Sequence, residues 1–92
     1  MIKKLKIGGH TYKIELTDDK NLLEKDTAGM LCREKGTIYI LKSLMESEKE
    51  ATLIHEILHA INGELDEVTV EGIAQQLYQI VKENNVLYRK MR

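Results

Sequence analysis

Proline, phenylalanine and tryptophan are absent from this 92-residue chain, and cysteine occurs once, at Cys32. Without proline, no strand is forced to break for want of a backbone donor, so glycines and capping side chains must set the boundaries. One cysteine excludes an intramolecular disulfide and a sulfur-rich metal site. Cys32 therefore reads as a small, inward-facing strand residue. The four tyrosines are the only aromatics, so the core has to be built from Ile, Leu, Val, Met and Ala.

Long apolar runs are also missing. The lysines at Lys3 and Lys4 precede no stretch of signal-peptide or transmembrane length, and the expectation is a soluble, cytoplasmic protein. A formal net charge of -1 with scattered Lys and Arg gives no broad basic face. Nucleic acid and membrane surfaces are therefore not expected partners. Hydrophobic residues at 42% are too many for a disordered chain. The length suits one domain, residues 1–92, acting as a monomer or weak oligomer.

Patterning predicts an α+β fold, a small antiparallel sheet of two hairpins packed against two C-terminal helices. Ile2–Ile7 and Thr11–Leu16 flank Gly8-Gly9, a pair suited to a primed hairpin turn. Tyr12, Ile14 and Leu16 alternate with polar residues, as in a half-buried strand. Thr17–Thr27 reads as a loop or one short helix. Met30–Arg33 and Thr37–Leu41 form the second hairpin around Lys35-Gly36.

From Ser47 the apolar period becomes helical, with Ser47 and Glu50 as a capping box. This helix should end at Asn62-Gly63, with glycine in the left-handed conformation. Its apolar arc contains Ala51, Leu53, Ile54, Ile57, Leu58, Ala60 and Ile61. A second helix follows the acidic connection Glu64–Glu67, with Val70, Ile73, Ala74, Leu77, Ile80 and Val81 at helical spacing as far as Asn84. The tail Val86–Arg92 is basic and aperiodic.

The first helix contains His55-Glu56-Ile57-Leu58-His59, an HExxH motif. At i, i+4 two imidazoles stand one turn apart on one helix face and can share one ion. Zinc suits this pair because it takes nitrogen ligands in a tetrahedral shell. Glu56, about 100° further round the helix, can serve as a general base without binding the ion. Both histidines border the apolar arc, at the edge of a cleft. The third histidine, His10, abuts the hairpin glycines and reads as a surface turn residue.

A catalytic zinc uses three protein ligands. Glu71, at the margin of the second helix's arc, is the preferred third ligand; Glu67, one turn earlier, is its rival. Asp66 and Glu64 read as connection residues or helix N-terminal charges.

The segment GTIYILKSLMESEKEATLIHEILHAI, followed by VEGIAQQLYQIV, resembles the gluzincin peptidases. It is similar in particular to the minimal ImmA/IrrE-type members of bacteria and their phages. The resemblance spans about Gly36 to Val81. It implies that His55, His59 and Glu71 hold Zn2+, that Glu56 is catalytic, and that peptide bonds of a protein or peptide substrate are hydrolysed. The metzincin pattern does not apply, because it requires glycine at Asn62 and histidine at Leu65.

Under this reading Glu56 takes a proton from water and passes it to the leaving amine. The strand Gly36–Leu41 would be the edge that an extended substrate joins. Tyr78, Tyr88 and Arg89 are candidates for steadying the oxyanion or substrate, and the basic tail could close the cleft. The alternative is a non-catalytic regulatory or interaction protein whose zinc only stabilises a small fold.

Overall fold

The computed structural model describes residues 1–23 and 27–84. Four strands, β1 (Lys4–Ile7), β2 (His10–Thr17), β3 (Gly29–Cys32) and β4 (Thr37–Leu41), precede two helices, α1 (Glu46–Ile61) and α2 (Glu67–Asn84). Gly8 and Gly9 both take positive φ, +57° and +87°, as a primed two-residue turn requires, and Ile7 pairs with His10 across it. Within the Thr17–Thr27 segment Lys20–Leu22 form a turn, closed by the Asp19 side chain and carbonyl.

The fold is α+β, but the sheet is mixed, in the order β1-β2-β4-β3. Each hairpin is antiparallel, whereas β2 and β4 pair in parallel, Ile14 opposite Ile38 and Leu16 opposite Ile40. The expected all-antiparallel sheet is therefore corrected. The reason lies in β4, whose residues Thr37, Ile38, Tyr39 and Ile40 are all buried. The more buried strand of the second hairpin takes the interior place beside β2, and because β3 and β4 are antiparallel this makes β2 and β4 parallel. Tyr12, Ile38 and Ile40 form the core, and α1 covers it with Leu53, Ile57 and Ala60.

At the start of α1 the Glu48 carboxylate accepts the Met45 backbone N–H at 3.2 Å. Ser47 already lies inside the first turn, so the expected Ser47/Glu50 box does not form. Glu50 is drawn to α2 instead, where it accepts hydrogen bonds from Tyr78 and Lys82. At the other end Gly63 has no left-handed φ; Asn62 closes the helix in extended backbone, donating to the Leu58 carbonyl.

The Asp66 side chain caps α2 by accepting the Thr69 N–H at 2.7 Å, and this bond lowers the Asp66 pKa. Among the described elements α2 packs on α1 alone. A helix with one neighbour buries a narrow stripe: Val70 and Ala74 are buried, while Ile73, Leu77 and Ile80 stay 43%, 40% and 47% exposed. Ile61, at the last turn of α1, is exposed as well. No helix among the described residues is long and apolar enough to cross a membrane.

Candidate metal centre

The i, i+4 spacing on α1 aims both imidazoles at α2, with their Nε2 atoms 3.2 Å apart. The short connection Asn62–Asp66, braced by Asn62 Oδ1 accepting the Glu64 N–H, starts α2 where Glu67 faces them. Glu67 Oε1 lies 2.6 Å from His59 Nε2 and Oε2 lies 3.1 Å from His55 Nε2. His55, His59 and Glu67 are thus the cluster able to hold a metal among the described residues.

Ligand atoms about 2.05 Å from a tetrahedral zinc stand about 3.3 Å from one another. The two Nε2 atoms, 3.2 Å apart, match that edge, and the two Glu67 oxygens each face one of them. The His59–Glu67 separation has the length of a hydrogen bond. Two neutral imidazoles and a carboxylate form a donor set that fits zinc well.

Glu71, expected as the third ligand, occupies another place. Its Oε2 lies 2.9 Å from His55 Nδ1, and its Oε1 accepts the Gln75 amide at 2.7 Å. The Gln75 hydrogen bond above all, and His55 to a lesser degree, lower its pKa against desolvation. With Nδ1–H given to Glu71, the His55 Nε2 lone pair is left for a metal. A carboxylate behind a ligating histidine fixes the ring and raises its basicity. Glu67 thus faces the two Nε2 atoms, and Glu71 stands at His55 Nδ1. The signal lay in their own i, i+4 spacing, which mirrors that of the histidines.

Glu56 is the buried charged side chain of α1, 7% exposed. Burial pushes its pKa up, while the two imidazoles and a hydrogen bond from the Leu31 backbone pull it down. Leu31 belongs to β3, the outer strand of the sheet. α1 comes this close to β3 because Gly29 carries no side chain: a Cβ there would lie 2.6 Å from Thr52 Cγ2 and 3.0 Å from the Tyr39 carbonyl.

These groups line a cleft of about 800 Å3 between β3 and the two helices. The strand bordering it is β3, not β4 as expected, since β4 is flanked by β2 and β3. The Leu41 N–H donates to the Ala28 carbonyl, so Met30/Tyr39 and Cys32/Thr37 are the bonded pairs of the antiparallel ladder. The backbone groups of Gly29 and Leu31 consequently face the free edge.

Tyr78 does not join this group. Its hydroxyl donates to Glu50 at 2.8 Å, and desolvation followed by that bond raises its pKa. Tyr88, Arg89 and the rest of the basic tail lie outside the described residues. His10 is exposed at the start of β2, and Cys32 is half-buried on β3. Arg33 lines the cleft, a residue that sequence reasoning missed because nothing local to the β3–β4 turn signals it. No protein-family model, no curated protein and no solved structure matches this chain.

Proposed function

We propose that the chain is a minimal zincin-like, zinc-dependent endopeptidase of the gluzincin type, similar to ImmA/IrrE-type peptidases. The observation that carries this reading is the convergence of His55, His59 and Glu67 beside the buried Glu56 carboxylate, at an open strand edge. His55 Nε2, His59 Nε2 and the Glu67 carboxylate would hold the ion, and Glu71 would orient His55. Zinc, when bound, supplies Lewis acidity that polarises a peptide carbonyl and lowers the pKa of water.

The remaining work falls to the chain's own groups. Glu56 accepts the proton of the attacking water on its carboxylate and delivers it to the departing amide nitrogen. An extended substrate would add to the free edge of β3, with the Gly29 backbone and the Leu31 carbonyl as its hydrogen-bonding partners.

The test is cleavage of an unstructured protein by zinc-loaded wild type beside Glu56→Gln. The variant should keep its zinc and lose at least about 100-fold in kcat/KM. A zinc-loaded Glu56→Gln protein as active as wild type would overturn the assignment of the base.

One observation favours a second, non-catalytic reading: α2 rests on α1 alone, so an ion shared by His55, His59 and Glu67 would staple the helices together. That reading predicts that chelation frees α2 and that zinc-loaded wild type cuts no peptide.

A further inference from the structure

Arg33 follows β3 directly and lines the same cleft as His55, Glu56, His59 and Glu67. Its guanidinium is seated. Nη2 donates to the His59 backbone carbonyl, one of the C-terminal carbonyls that α1 itself leaves without a helical partner. The head also lies against Gly63, where an added Cβ would stand 3.0 Å from Nη2. The lack of a side chain at Gly63 is what makes the notch.

Capping a helix end uses one donor, and a guanidinium has five. Arg33 forms no ion pair among the described residues, although three carboxylates line the cleft with it. Two of those are engaged elsewhere, Glu67 with both imidazoles and Glu71 with His55 and Gln75, and the third, Glu56, is buried. Among the described residues Arg33 is the only Lys or Arg that lines the cleft, and it is exposed and keeps donors to spare.

Resting on the peptidase reading, we infer that Arg33 is a specificity-determining residue that receives a carboxylate of the substrate beside His59. Arginine's planar fork matches a carboxylate in two-point contact. The carboxylate is either an acidic side chain or a free C-terminus.

The experiment compares zinc-loaded wild type and Arg33→Gln on one neutral, C-terminally amidated peptide and three series derived from it. One series carries a single Glu at successive positions on either side of the cleaved bond, the second a single Lys at the same positions, and the third a free C-terminus. Wild type should favour one Glu position, or the free terminus, by about tenfold or more in kcat/KM. Arg33→Gln should still cleave the neutral peptide and lose that preference, and Arg33→Glu should turn it toward the Lys peptides. A best Glu position identifies a side-chain carboxylate, whereas an advantage confined to the free terminus identifies the C-terminal one.

Cleavage without any acidic preference overturns the role of Arg33 and leaves the peptidase reading standing. If wild type cuts nothing, the peptidase reading fails. Binding of the same peptides to zinc-loaded Glu56→Gln protein then decides the carboxylate site by itself. Tighter binding of an acidic peptide, with a shift of the Arg33 Nε–H resonance, supports it, and equal binding of acidic and neutral peptides overturns it. An Arg33→Gln protein that is merely less stable, with the preference intact, reduces Arg33 to a helix cap and also overturns the inference.

Discussion

Replacing Glu67 and Glu71 one at a time by glutamine separates the two roles assigned to them. Structural zinc contributes about 10–16 kcal/mol over four ligands, so one ligand accounts for about 3 kcal/mol, on the order of 100-fold in affinity. Glu67, whose two oxygens face both Nε2 atoms, should lose about that much as Gln. Glu71 holds only the His55 Nδ1–H and the Gln75 amide. A Gln in its place still accepts one hydrogen bond, but a neutral one, at a cost of about 1 kcal/mol, or roughly 5–10-fold in affinity.

Thermal melting reads the difference. With free zinc at about 100 times the wild-type Kd, binding stabilises wild type by about 2.7 kcal/mol, or about 10–20 °C for a domain of this size. Glu71→Gln should keep half to two-thirds of that shift, and Glu67→Gln only about 1.5–3 °C. The reverse order would refute the assignment and restore Glu71 as the ligand. Equal and full shifts in both variants would remove the third ligand from α2 altogether.

Gly29→Ala should destabilise the protein by about 1–3 kcal/mol, because its Cβ meets Thr52 and the Tyr39 carbonyl; adding Thr52→Ala should recover part of the loss, as denaturant midpoints of the single and double variants will show. Val70→Ala, at a fully buried contact of α2 with α1, should cost about 1.5–2.5 kcal/mol by calorimetry. Hydrogen bonds from Tyr78 and then Lys82 hold Glu50 below 4.5, so its contribution is present above that pH and is lost as pH falls through the folded-state value. The stability difference between wild type and Glu50→Gln should therefore be level above 4.5 and shrink below it, in urea midpoints taken across the acid range. The difference is small and salt-sensitive because Glu50 and Lys82 are partly exposed.

The sequence by itself determined what depends on neighbours along the chain. Gly8-Gly9 set a primed turn because both positions need positive φ. Helical spacing placed α1 and α2, and i, i+4 spacing put His55 and His59 on one face with Glu56 offset from them. What the sequence left open depended on groups distant in the chain. The α1 start lies at Met45, whose N–H Glu48 accepts, and Glu50 is left to pair with Tyr78 and Lys82 across the helix pair. Gly63 proved to be shaped by Arg33 rather than by a left-handed helix end.

The parallel pairing of β2 with β4 follows from β4, not β3, lying beside β2, a choice that alternation within one strand does not reveal. It moves the free edge beside the cleft from β4 to β3. The choice between Glu67 and Glu71 also belonged to the tertiary structure. Both lie one turn apart on the same helix face, and only the length of the Asn62–Asp66 connection and the packing of Val70 and Ala74 against α1 decide which reaches the two Nε2 atoms and which stands behind His55.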